Sequence, residues 1–259
     1  MLEYLTQKVG REDAYKILSY YYDQKIGDIC LKEHFDIDKC EIDSIIQKYQ
    51  SDMPLNKIFG YEYFFGYKFF IDENVLAPRQ DTERVVECVL DCISDGANVL
   101  DLCTGSGCIG IAIAKSKKVQ LTLADMSSKA LEIAKQNCLH HNITANIVQT
   151  DMFDNIEGCY DCIVSNPPYI RSNVIEDLDA SVKNFDPLIA LDGGEDGLLF
   201  YKSIRRHFSD FLAPKGVLVL EIGYDQAEDI CRLFEGFDVT IVKDYGGNDR
   251  VAVIKRFLC

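Results

Sequence analysis

Positive charge is scarce in this chain of 259 residues, where 27 Lys and Arg stand against 42 Asp and Glu, a formal charge of −15. Nucleic acid is held by clustered cations that neutralise several phosphates, so free DNA or RNA is not an expected partner. No apolar run approaches the ~20 residues that a membrane helix needs, and no membrane association is expected. The opening MLEYLTQKVG has neither the basic end nor the apolar stretch of a secretory signal. Internal repeats and low-complexity segments are missing as well. There are only four histidines (His34, His140, His141 and His207), all distant in sequence from the single CxxC pair, Cys159 and Cys162. With no second pair at matching spacing, no metal site is expected.

What is present is a core. Hydrophobic residues make up 47% of the chain, which fits one large domain with a small one attached. The 11 cysteines run from Cys30 to Cys259, odd in number and without a framework spacing. They read as small buried hydrophobes in a reducing cytoplasm.

Residues 1–60 read as a helical domain. Ala14, Ile17, Leu18, Tyr21 and Tyr22 recur on one helical face, and Ile42, Ile45, Ile46 and Tyr49 repeat the pattern behind a capping box of Asp38 and Glu41. YEYFFGYKFFI, within residues 61–73, reads as a linking β-hairpin. From residue 74 to 259, strands alternate with helices, which predicts a parallel sheet covered on both faces. The last two strands, FDVTIVKD and RVAVIKRF, are joined too tightly for a crossover helix and should pair antiparallel.

Strand NVLDL runs into Cys103, Thr104, Gly105, Ser106 and Gly107 before a helix. Glycines at the carboxyl end of such a strand let backbone approach a ligand and present amides at a helix start. Asp125, ending the next strand, is placed to accept from two ribose hydroxyls. Asp151 follows the third strand, where it can meet an adenine amino group with Met152 against the ring. The run Gly105–Gly110 also satisfies G-x-G-x-x-G, so this stretch alone does not separate a dinucleotide from S-adenosylmethionine.

The fourth strand ends in Asn166, Pro167, Pro168 and Tyr169. Two prolines fix the backbone and give no N–H, so the segment offers acceptors in fixed directions. A planar NH₂ group can donate to the Asn166 side-chain oxygen and to the Pro167 carbonyl while Tyr169 stacks on its plane.

With these residues in view, the chain resembles the S-adenosylmethionine-dependent methyltransferases that modify planar nitrogens. Within that class it resembles the HemK/PrmC family, which methylates N5 of the glutamine in the GGQ motif of peptide-chain release factors. The resemblance runs from about Pro54 to the C-terminus through VLAPRQDTE, DLCTGSGCIG, NPPY, FDPLIALDGGEDGL, LVLEIGYDQ and DYGGNDRV. It implies a Rossmann-like α/β fold: a seven-stranded class I methyltransferase sheet with a small N-terminal helical domain for substrate recognition and a linking hairpin. It also implies S-adenosylmethionine as cofactor, the GGQ loop of release factors as partner, a cytoplasmic location and a monomer. The cofactor residues it implies are Asp101, Cys103, Thr104, Gly105, Ser106, Gly107, Asp125, Asp151, Met152 and Asn166. Asn166, Pro167, Pro168 and Tyr169 would hold the glutamine, with Asn166, Pro167 and Tyr169 catalytic. Cys103 stands where the family usually has glycine, Met152 where it often has an aromatic, and APRQ where it typically reads IPRP.

Two other readings use the same motif. A sister activity would methylate a glutamine of a ribosomal protein. An adenine-N6 enzyme would have to flip a base and carry a basic recognition surface, for which a −15 chain has little room. A cofactor-binding module without catalysis is disfavoured by the intact motifs. Residues 170–191 are long for a connection, and 170–197 either closes over the substrate loop or is an ordered connector, with the glycines of Asp192–Gly197 supplying flexibility and its acids favouring the next helix start.

Overall fold

A computed structural model describes residues 1–257; Cys259 lies outside the described residues. The N-terminal part comprises α1 (Leu2–Val9), α2 (Arg11–Tyr22), α3 (Ile26–Cys30), α4 (Lys39–Gln50) and α5 (Leu55–Phe59). Its apolar stripes close on a core of their own around Leu5, Ile17, Leu18, Ile29, Ile42 and Ile46. Asp38 caps α4 by accepting from the amides of Cys40 and Glu41 at 2.8 and 3.1 Å. The reciprocal half of the expected capping box is replaced, because the Glu41 carboxylate accepts from Tyr21 Oη at 2.8 Å.

The hairpin forms as β1 (Tyr61–Phe64) and β2 (Tyr67–Phe70), paired antiparallel. It packs on the sheet domain as well as bridging to it: Phe64 and Phe69 are buried in that domain's core. Asn137 exchanges bonds with the Phe70 amide and carbonyl (2.8 and 3.0 Å) and donates onward to the Ser106 carbonyl at 2.8 Å. One buried carboxamide thus ties the hairpin to the glycine loop.

The remaining elements are α6 (Glu83–Cys92), β3 (Ala97–Leu102), α7 (Cys108–Ser116), β4 (Val119–Asp125), α8 (Ser128–His141), β5 (Ala145–Gln149), β6 (Tyr160–Ser165), α9 (Ala180–Lys183), α10 (Leu199–Phe211), β7 (Leu212–Glu221), α11 (Ala227–Leu233), β8 (Asp238–Lys243) and β9 (Asp249–Lys255). They build a 7-stranded sheet in the order β5-β4-β3-β6-β7-β9-β8. β9 runs antiparallel to both β7 and β8 and the other pairings are parallel, as the chain's strand pattern predicts. Alternate residues of each central strand face opposite layers. Val99, Leu123, Cys162 and Val219 meet α6, α7 and α8, whereas Leu100, Ile163, Leu218 and Ile254 meet α10 and α11.

The chain leaves β3 for β4 and β5 on one side, then returns to β6 on the other. The order therefore reverses at β3, and the carboxyl ends of β3, β4 and β6 open a crevice there. Cys159 is exposed while Cys162 is buried within β6, so the CxxC pair does not converge, and the described cysteines are free thiols. No helix among the described residues is long and apolar enough to cross a membrane.

Candidate active site

The crevice holds about 910 Å³ of non-protein space, a figure that includes open solvent. Its floor is the β3–α7 loop. Asp125, at the end of β4, accepts from the Gly105 amide and the Ser127 amide, both at 2.9 Å, which locks the loop against the start of α8. Ser127 Oγ accepts from Ala130 at 3.2 Å, so the N-cap is Ser127 and Asp125 stands one step nearer the crevice. Burial raises the Asp125 pKa while these amides oppose the shift. A carboxylate offers about four acceptor positions, and two are used here.

Gly105 has φ 54, and a Cβ built on it would meet nothing within 4 Å. Open space directly over a glycine backbone is what a close-lying ligand requires. Gly110 serves a different end: its Cβ would lie 2.6 Å from Leu123 Cδ2, so this third glycine lets α7 pack on β4. Cys103 and Met152 both line the crevice with left-handed backbones, φ 59 and φ 48. A left-handed conformation costs a non-glycine residue roughly 1–2 kcal/mol, which supplies a physical reason for glycine as the common alternative at 103. Burial, then the nearby Asp125, raise the Cys103 thiol well above its ordinary pKa.

Of the residues expected from sequence, Cys103, Thr104, Gly105, Ser106, Asp125, Asp151, Met152, Asn166 and Pro168 line this one crevice. Asp101, Gly107, Pro167 and Tyr169 are not among its lining residues. Asp101 is fully buried, and its Oδ2 accepts from Thr104 Oγ1 at 2.6 Å and the Gly110 amide at 2.9 Å. It holds the loop from beneath, and burial lifts its pKa to about 7 against those two bonds. Gly107 starts α7 with φ 81.

The opposite wall is Asn74–Arg79 with Ile189, Ala190 and Phe200. Spacing singles out no individual wall residue; the signals are the segments VLAPRQDTE and FDPLIALDGGEDGL, which hold Val75–Arg79 and Ile189 and Ala190. The wall is held by the buried carboxylate of Asp186, which accepts from Arg79 Nη2 at 2.7 Å.

Asn166–Tyr169 follows β6 at the mouth. Ser165 Oγ donates to the Leu102 carbonyl at 2.6 Å, fixing the strand end beside the glycine loop. The Tyr169 carbonyl accepts from Gln226 Nε2 at 3.2 Å, and Ile170 exchanges backbone bonds with Leu191 and Gly193 at 3.0 and 2.8 Å. None of these bonds uses the Pro167 carbonyl.

The glycines of Asp192–Gly197 correct the expectation of flexibility. A Cβ at Gly193 would lie 2.7 Å from Tyr169 Cα, and one at Gly197 would lie 2.6 Å from the Tyr169 oxygen. They permit backbone to pack on backbone, so this segment braces Tyr169. The expected acidic contribution to the helix start survives in part: Asp196 Oδ1 accepts from the Leu198 amide, just before α10, at 3.0 Å.

Residues 80–183 match the methyltransferase small domain family. Over 225 residues the chain is 41% identical to the release factor glutamine methyltransferase of Thermodesulfovibrio yellowstonii, covering 83% of this chain and 81% of that protein. The enzyme of the same name from Clostridium acetobutylicum is 36% identical over an alignment of 267 residues, 95% of this chain and 91% of the relative. Among solved structures, the E. cuniculi Mtq2–Trm112 complex, described as responsible for methylation of the eRF1 translation termination factor, superposes with a TM-score of 0.53 at 22% identity, covering 71% of this chain and 99% of that one. At that identity the likeness concerns the fold, whereas the two bacterial relatives match across most of their length. The chain belongs to the release factor glutamine methyltransferase family.

Proposed function

We propose that this protein transfers a methyl group from S-adenosylmethionine to N5 of the glutamine in the GGQ loop of peptide-chain release factors. The observation that carries the reading is that Asn166 and Pro168, from the segment Asn166–Tyr169 that follows β6, line the same crevice as the open backbone of Gly105. The cofactor fits the residues present: the loop 103–107 would take its amino acid end, Asp125 the ribose hydroxyls, and Asp151 and Met152 the adenine. When bound, it supplies an electrophilic methyl group on sulfonium sulfur.

The chain's own residues address the weak nucleophile. An amide nitrogen's lone pair is delocalised into its carbonyl, so the gain must come from orientation and aimed dipoles. The Asn166 side-chain oxygen and the Pro167 carbonyl accept the two N–H bonds, favouring positive charge on nitrogen as the bond to carbon forms. Tyr169 stacks on the amide plane and fixes the direction of attack. Positioning of this kind is worth up to roughly 7–11 kcal/mol in the best intramolecular cases. The methylated amide then releases a proton, an acidic step that needs no strong base.

Residues 1–60 form the part we assign to recognition of the protein substrate, residues 61–73 the link, and 74–259 the methyltransferase domain. A monomer acting in the cytoplasm completes the reading. The test is mass spectrometry of a purified release factor incubated with this protein and S-adenosylmethionine. One added methyl group on the GGQ glutamine, absent with Asn166→Ala, is expected. An unmodified release factor alongside a methylated ribosomal protein glutamine would replace the substrate.

A further inference from the structure

Tyr169 is pinned at both ends. Its backbone is held by Gln226 and packed under Gly193 and Gly197. Its hydroxyl reaches into the interior and donates to Glu221 Oε1 at 3.2 Å. Glu221 is the last residue of β7 and is only 2% exposed. Its carbonyl accepts from Tyr201 Oη at 2.8 Å, and its backbone pairs with Val251 of β9. Arg250, beside it, is tied to Asp244 at 3.2 Å. The second carboxyl oxygen, Oε2, is buried and accepts no hydrogen bond of normal geometry, although the Thr82 hydroxyl is near enough to favour the charged form. A buried carboxyl with one orphaned oxygen is a costly way to fill space. Packing alone would be served better by an apolar side chain.

The geometry points to Glu221 as a positioning residue for methyl transfer: by accepting from Tyr169 Oη it fixes the ring against which the substrate amide lies. This rests on the glutamine reading above. A tyrosine side chain turns about two bonds; Oη lies on the axis of the second, so a hydrogen bond there restrains the first, χ1, and with it where the ring sits. A carboxyl acceptor also pushes electron density into the phenol, making the ring face more negative where positive charge builds on the amide nitrogen.

The test is a double-mutant cycle in the full-length protein, with Glu221→Ala, Tyr169→Phe and the pair together, assayed on a release factor. Each single change is expected to lower kcat by about tenfold or more while the Kd for S-adenosylmethionine stays within about twofold. The double variant should be no slower than the slower single. Glu221→Gln, whose amide oxygen can still accept, should recover part of the rate. Losses that multiply in the double variant would overturn the proposal, because Glu221 would then act apart from Tyr169. Should Glu221→Ala fail to fold, the same cycle is run with Glu221→Gln.

A second readout does not depend on turnover. With tyrosine isotopically labelled at Cα and Cβ, NMR three-bond couplings should show one χ1 rotamer for Tyr169 in the native protein and averaging over rotamers in the Glu221→Ala variant. An unchanged single χ1 rotamer in the variant would overturn the tether. A freed ring in a protein whose native form methylates no glutamine would instead overturn the substrate reading and leave the tether standing.

Discussion

Lys57 Nζ lies 3.0 Å from Asp186 Oδ1, and the two side chains are only 6% and 3% exposed. One belongs to α5, ahead of the hairpin, and the other to the segment that precedes α10. The same ammonium donates to the carbonyls of Asp72 and Val75 at 2.9 and 2.7 Å, while Arg79 takes the second carboxylate oxygen. A single buried carboxylate therefore gathers the entry to the sheet domain, the Asn74–Arg79 wall and the loop under Ile189. The N-terminal helices and the crevice are coupled through it.

Removing that carboxylate should be expensive. Asp186→Ala leaves the Lys57 charge buried without its partner, and loss of one member of such a pair costs about 3–5 kcal/mol. Arg79→Ala should cost far less, about 1 kcal/mol or below, because its side chain is 46% exposed and Lys57 still faces Asp186. Thermal melting of both variants checks the ordering. Equal, small shifts would show that the triad is not what joins the segments.

The close approach at Gly193 and Gly197 predicts that Ala at either position displaces Tyr169. Methylation should fall by about tenfold or more with cofactor affinity largely kept. Gly27→Ala is the control, since its Cβ meets nothing within 4 Å and its backbone is helical. Steady-state kinetics with separate cofactor titration reads both quantities, and an unimpaired Gly193→Ala enzyme would contradict the bracing role.

At Cys103 two substitutions should act in opposite directions. Glycine relieves a left-handed backbone and should hold or raise the melting temperature, offset in part by about 0.5–1 kcal/mol of chain entropy. Valine, branched at Cβ, is forced into a conformation it strongly disfavours and should lower it. Differential scanning calorimetry distinguishes them, and a fall with glycine would point to packing by the thiol as the dominant effect.

Burial raises Asp101 from 3.8 to about 7, so the folded state keeps a proton that the unfolded chain has lost. Its contribution is therefore full below about pH 4 and falls as pH rises towards 7, where it levels off. The slope is up to about 1.4 kcal/mol per pH unit within that window. Asp101→Asn removes the titration, so the stability of the native protein relative to this variant should decline between pH 4 and 7. A constant difference across that range would show that Asp101 is ionised throughout.

Much of this protein is legible as a string. Strands alternating with helices, the short turn before the last strand, the glycine loop after β3 and the NPPY run after β6 are local patterns, and periodicity and backbone chemistry are local physics. Asp125 could be named because it ends β4 and Asn166 because it follows β6, strands whose position in the sheet follows from connection rules. The tertiary structure decided what distant segments do to one another. That Asp101 supports the loop from behind, that Glu221 takes the Tyr169 hydroxyl, that Lys57 finds Asp186, and that Gly193 and Gly197 serve close packing are matters of ångströms between residues far apart in the chain. Such contacts arise when helices and loops settle onto the sheet, and no periodicity along the sequence encodes them.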